Sequence, residues 1–532
     1  MKLSLGLPRM AARKPRTGAG KGNLLGLIVI AFVIGAVALL LGAVIGLGSP
    51  FLLTMLAGVI FGSIVFLIMD SYLMLLTLFV LTFLVQGTAM SFFGNRQAPW
   101  VVVGVAVLFV LRTILDRSFA RNVAKRGATS GADTAALVAL LMYALVFAAS
   151  TVINRPGMAQ LVVAFKSAWP MLAVLLALMW FRWTPAQQAR IWQLMVVVLF
   201  VQVPVVLYQH FVIAPRRVAA AHDAVVGTFG GTVTSGGNSA LLAMFAIIVM
   251  SYMLVRWDRG LVTRRWMLTV CAIGMAVILL GEVKAAFFWM PLAFCFVLRR
   301  RIAKNVFSFV WYLTIMAVLG GVIWTTYNAL YWSNIVNRKN TVTEKLEASG
   351  GYFFDPNEIN YLTGEVGRGA SLAIWAKDHS ATAASRLIGY GPGAIKSGGS
   401  LGTGTLARRF APLQVDPISL TVLLWDVGIL GAAAYLSLFA TVLLAGWRYL
   451  RRRQGEPGTE AIIEASVVTV LLLSTLVIYN RTLMDDPAVQ LLFALASGLI
   501  LNAARFAPKQ RPAVTPKVFA VAPPAPPRMK VV

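Results

Sequence analysis

Apolar residues in this chain fall into fourteen runs: 24–47, 51–69, 72–93, 99–115, 134–153, 161–181, 191–213, 238–255, 266–280, 285–298, 306–326, 418–444, 462–478 and 487–501. Most approach the roughly 20 residues a helix needs to cross the hydrocarbon core. The pattern predicts an all-α polytopic membrane protein with about 14 transmembrane helices. The first run follows a basic stretch (Lys2, Arg9, Arg13, Lys14, Arg16, Lys21) and is too long for a signal-peptide core, so it is read as a span. The expected organisation is a basic tail (1–23), helices 1 to 11 (24–326), one large outer loop (327–417), helices 12 to 14 (418–504) and a Pro-rich tail (505–532) of disordered, polyproline character. No internal repeat is evident.

Composition agrees with a membrane protein, with 59% apolar and 12% charged residues, but the net charge of +28 needs its own explanation. With the N-terminus in the cytoplasm, the inner side receives both tails, the loops around Arg121, Arg182, Arg259, Arg300 and Arg452, and the tight turn at Asp70. It then holds 30 of the 47 Lys and Arg but only 7 of the 19 acids. The positive-inside rule and attraction to an anionic bilayer account for that excess, and nucleic acid is not needed as a partner. Cys271 and Cys295 both lie in apolar runs, and three histidines (210, 222, 379) complete a set too sparse for a zinc site, so neither a loop disulfide nor a metal is expected.

Chemistry is sought among charges that sidedness does not explain. The stretch 266–298 must cross and return between basic loops, which sinks its turn, containing Glu282 and Lys284, below the outer surface. That pair is either functional or a tie for the turn. Arg216 and Arg217 open a loop that runs through Gly227 and further glycines to Asn238 at a helix start, a pattern that suits a phosphate but equally a flexible turn. The 327–417 loop is too long for a connector. It carries Arg368, a predicted helix over 371–387 with Trp375 on its apolar side, and glycine-rich turns at Gly389, Gly391 and Gly393 and at 398–404. Asp416, at the loop's end, is placed to act as a general base or as a helix N-cap. Asp426 must face a polar interior. The turn 480–487 reads as a self-satisfied salt bridge.

In this order the motifs resemble the O-antigen polymerase and ligase family, membrane glycosyltransferases of the GT-C type. The resemblance spans about residues 216–431. It rests on Arg216 or Arg217 followed by Gly227 and Asn238; on Lys284, where the family has Arg; on Arg368, Trp375, Gly389, Gly391 and Gly393; and on Asp416 to Ser419 followed by Leu423, Asp426, Gly428 and Gly431. The family's His-Asn pair is missing at that last position, where Asp416 stands.

The resemblance implies a bacterial inner-membrane enzyme, free of metal and cofactor, with both termini cytoplasmic and a periplasmic loop. It would transfer a glycan from undecaprenyl pyrophosphate to a hydroxyl of an acceptor glycan, in company with chain-length-regulating or export proteins. Lys284, Arg216, Arg217, Arg368 and Asn238 would then hold the pyrophosphate and substrate. Asp416 would serve as base, with Glu282 as runner-up, and Trp375 and the three glycines would shape the loop. Loss of the His favours a polymerase over a ligase acting on lipid A core. Other readings are a lipid-linked oligosaccharide transporter or flippase, disfavoured because only the 282–284 break is evident, and a nonenzymatic envelope scaffold.

Overall fold

The computed structural model describes residues 62–506 except 65, 96, 120–130, 182, 217–224, 233–235, 330–349, 397–402 and 453–454, together with Gly35 and Gly42. The chain divides into two units, Met1–Met69 and Asp70–Val532. In the first, residues 62–64 and 66–68 are helical, while most of the two earliest expected spans and the 1–23 tail lie outside the described residues, as does the C-terminal tail beyond Phe506.

Among its described residues the second unit is all-α apart from two small antiparallel hairpins, Gly231–Thr232 with Gly236–Gly237 and Ile359–Asn360 with Glu365–Val366, and a single bridge between Glu365 and Gln414. Its long helices are α1 (Ser71–Phe93), α2 (Ala98–Phe119), α3 (Gly131–Asn154), α4 (Met158–Trp180), α5 (Pro185–Ile213), α6 (Ser239–Asp258), α7 (Arg264–Gly281), α8 (Ala286–Ile302) and α9 (Val306–Tyr327). After the outer loop, with α10 (Arg368–Ala376), α11 (Ala383–Ile388) and α12 (Thr405–Phe410), come α13 (Ser419–Arg452), α14 (Pro457–Tyr479), α15 (Thr482–Asp485) and α16 (Pro487–Phe506). Eleven of these helices are long and apolar enough to cross a membrane, which makes the chain a multi-pass membrane protein. α8 has only 17 residues, or about 26 Å at 1.5 Å per residue, as expected of a run whose turn sits low.

Helices suit these runs because a backbone in lipid must satisfy its own N–H and C=O groups. Polar caps mark the ends: Asp70 accepts from the Leu73 amide, Asn305 from Ser308, and Thr184 forms a capping box with Gln187. The core is built around α6, of whose central window 89% is buried, together with α14 and α16; α9, at 11%, lies at the periphery with its Val, Phe and Trp side chains outward. α13 packs on α3 and α14, and α16 on α4 and α14.

Helix ends that the charge pattern assigns to one side meet at one end of the bundle. There Arg505 pairs with Asp133 at 2.8 Å, joining the end of α16 to the start of α3. Arg259 binds Glu460 (2.5 Å) and Glu464 (2.6 Å), and Arg299 binds Glu464 (2.5 Å), which ties α6 and α8 to the start of α14. Glu464 is 7% exposed, so this cluster is largely removed from solvent. Removing one partner of a buried pair leaves an uncompensated charge. Glu464→Ala is therefore expected to destabilise the protein by about 3 kcal/mol or more, seen as a lower unfolding midpoint in detergent; a wild-type midpoint would mean the cluster contributes nothing to stability.

Candidate functional site

The outer loop is seated on a break in α13. Gly428 has φ 68° and ψ −169° inside that helix, which frees the carbonyls before it. The Tyr390 amide donates to Trp425 O (2.8 Å), and the Ser150 hydroxyl on α3 donates to Asp426 O (3.0 Å). The approach is backbone to backbone. A Cβ on Gly389 (φ 80°) would lie 2.4 Å from the Asp426 carbonyl carbon, and one on Gly428 would lie 2.5 Å from the Gly389 nitrogen. No other residue fits either position without displacing the chain. Asn154 and Gln160, from α3 and α4, donate to Gly389 O (3.2 Å) and Pro392 O (3.0 Å), and the space beside Gly391 and Gly393 is limited by the same two residues. Tyr390 and Phe410 then close over the buried Trp425, with ring centroids 5.5 and 5.4 Å away.

Several loop charges are used to hold this shape. The 371–387 region forms two helices, α10 and α11, in place of the single predicted one. Thr382 starts α11 with a capping box to Ser385, and Arg386 lies over the Trp375 ring (4.6 Å) while donating to the carbonyls of Trp375, Ala376 (3.0 Å) and Asp378 (3.1 Å). Capped carbonyls and a competing N-cap stop the helix at Ala376. Arg409 pairs with buried Asp378 (2.6 Å), which also accepts from Tyr390 (2.5 Å) and Ser380 (2.9 Å). Trp375 is thus covered by Arg386 at the end of α10.

A second set of charges joins the loop to the bundle. Lys396 pairs with Asp485. Asp485 also binds Arg481 (3.1 Å), and Arg481 reaches Asp416 (2.9 Å), which is 2% exposed. Burial pushes the Lys396 ammonium down to about 8, against the pull of Asp426 and Asp416. Asp416 is no N-cap: α13 starts at Ser419, whose amide donates to Asn480 O (3.0 Å). The 480–487 turn is only partly self-satisfied, since both Arg481 and Asp485 also bind residues of the outer loop.

Arg368 begins α10 and lies face-on to Phe353 (3.8 Å) and Tyr479 (4.3 Å), with Tyr352 at 5.1 Å. Burial pushes its pKa down while Tyr479 and Tyr352 oppose the shift, and an arginine stays protonated regardless. Its Nε and Nη1 are buried without a hydrogen-bond partner.

The other expected residues lie outside this network, though Asn238 reaches the same 480–487 turn through Asp486. Glu282 takes a left-handed conformation (φ 50°) in the turn between α7 and α8, which Tyr327 holds by donating to Ile278 O (3.1 Å), and Lys284 in the same turn is exposed. Arg216 ends the helical segment after α5, Arg217 lies outside the described residues, and the glycine loop is no open anion cradle in its described part. Gln209 accepts from the Val226 (2.9 Å) and Gly227 (2.7 Å) amides, and Gln202 accepts from Thr228 (2.7 Å). Asn238 leaves the α6 N-terminus uncapped and donates to Asp486 and Phe229 O (3.3 Å). The residues that sequence reasoning undervalued are Lys396, Arg481 and Asp485, whose only advance sign was two charges of opposite sign in a short outer turn.

No protein-family model matches the sequence, and no curated protein is significantly similar to it.

The Asp378 clasp has a definite pH dependence. Burial alone would raise its carboxyl, but Arg409, Tyr390 and Ser380 outweigh burial and hold it well below the usual carboxylate range. A depressed folded value contributes stability above the unfolded pKa of about 3.9 and loses it as pH falls below that. Hydrogen exchange in residues 378–396, corrected for intrinsic rates, is expected to accelerate on acidification below about pH 4, and Asp378→Asn to remove that dependence. Equal pH profiles for the two proteins would exclude the clasp.

Proposed function

We propose that the chain is a membrane glycosyltransferase of the polysaccharide-polymerase kind, which transfers a glycan from undecaprenyl pyrophosphate to a hydroxyl of another lipid-linked glycan at the periplasmic face. The observation that carries the reading is Arg368. Buried polar groups nearly always find partners, yet this guanidinium offers two orphaned N–H donors next to a flat aromatic bed. A pyrophosphate leaving group supplies the missing acceptors, and a planar fork binds its oxygens better than an ammonium does. Preorganised donors of this kind stabilise charge that develops as the sugar departs.

A second support is the fit between two parts of the family-like pattern. Gly389, Gly391 and Gly393 are separated in sequence from Asp426, Gly428 and Gly431, and the glycine turn lies directly on the Asp426–Gly428 backbone. In this reading Arg368 binds the phosphates, and Lys284 and Arg217 are the further cations that the family-like sequence pattern adds. Asp416, oriented by Arg481, takes the proton of the acceptor hydroxyl, with Glu282 as the alternative base. Catalysis needs no metal because the cations provide the countercharge.

Arg368→Ala, Lys284→Ala and Arg217→Ala are each expected to cut polymer formation by about 100-fold or more while the protein remains inserted. Arg368→Lys should not restore activity, because an ammonium offers no planar fork. Polymer of wild-type length and amount in all three alanine variants would refute the site.

A further inference from the structure

Below the seat of the glycine turn lies a cavity of about 30 Å³ between α3, α4 and α13. Its polar lining is Asp426, Lys396, Tyr143 and Ser167, and a neighbouring space of about 10 Å³ continues past Tyr143 and Ser167 to Gln490. The larger space is sufficient for one or two waters, which need two to four polar partners. Asp426 is the unusual member. The Gly393 and Ile395 amides and the Lys396 ammonium face its carboxylate, yet its Oδ1 is buried without a hydrogen-bond partner. A carboxylate oxygen left in that state is costly, and either water or a proton relieves it.

We propose that this cavity is a proton-exchange site in which Asp426 takes up and releases one proton through water held between its Oδ1 and Lys396, toward the outer face. On uptake, an O–H bond of the bridging water breaks as Oδ1 takes its proton. The hydroxide left behind takes a proton from the Lys396 ammonium, and the neutral amine regains one from solvent at the lip, where Asp485 is 29% exposed. The net change is one proton moved from the outer solvent to Asp426.

The charges around the path are balanced. Asp426 faces Lys396 and Asp416 from the loop and Tyr143 from α3, while Lys396 faces Asp485 and Arg481 from the turn after α14 and Lys166 from α4. Three cations thus oppose three acids, so one added proton changes the local net charge. Lys396, with burial holding it at about 8, can give up a proton near neutral pH. The ion pair to Asp485 keeps it at the cavity mouth. The proposal is independent of the glycosyl-transfer reading and would survive its failure.

Infrared difference spectroscopy on the full-length protein in liposomes tests the site directly. Acidifying the outer solution is expected to raise the C=O stretch of a protonated carboxylic acid, and D₂O should shift it quickly. Asp426→Asn should abolish the band, and Asp426→Glu, which keeps the group but changes its surroundings, should move it, so the assignment does not depend on one variant folding. Lys396→Met should retain the band and lose its fast exchange with D₂O. The proposal is overturned if no such band forms, if it persists unchanged in Asp426→Asn, or if it exchanges equally fast in Lys396→Met.

Discussion

The contact between Gly389 and the broken turn of α13 is the constraint on which the outer half of the molecule depends. Two backbones approach there closely enough to exclude any Cβ, and the chain can do this only because Gly428 leaves the helix and frees carbonyls that the loop and α3 then satisfy. From this seat the chain proceeds through Pro392 to Lys396, which is thereby delivered to Asp485 on the opposite side of the cavity mouth. A helical Gly428 would leave no acceptor for Tyr390 and no space for Gly389. The loop's position, the ion network and the exposure of Asp426 to a small cavity are thus consequences of one local break.

The two ends of the bundle use charge differently. At the end opposite the 327–417 loop, Arg259, Arg299, Glu460 and Glu464 satisfy one another at 2.5 to 2.6 Å and lock three helices, a self-contained arrangement in which nothing invites a ligand. At the outer end, the pairs are extended into a chain through Asp416, Arg481, Asp485 and Lys396, and two groups beside it, Arg368 and Asp426, keep polar atoms without partners. Buried unsatisfied groups are expensive, and it is on these two charged groups that the functional reading concentrates.

The membrane-crossing pattern was legible because a run of about 20 apolar residues has few alternatives to a helix in lipid. Each of the twelve expected spans that fall on described residues is a helix, and even the shortness of α8 followed from basic loops on both sides of 266–298. The outer loop was less legible. The end of α10 at Ala376 depends on Arg386 folding back onto three carbonyls, and the glycine loop before Asn238 is closed by glutamines from α5, neither of which periodicity reports. The ion network was hidden for a similar reason. Lys396 and Asp485 lie in separate loops, and charges in loops read as solvated until the fold brings them together.

The central claim, that this end of the bundle polymerises lipid-linked glycan, is tested most directly with the purified protein in liposomes, supplied with an undecaprenyl-pyrophosphate-linked oligosaccharide, a lipid A core acceptor and a metal chelator. The account predicts longer lipid-linked chains that grow with time and require Arg368. Unextended substrate in the presence of folded protein, or transfer only to a lipid A core acceptor, would contradict it.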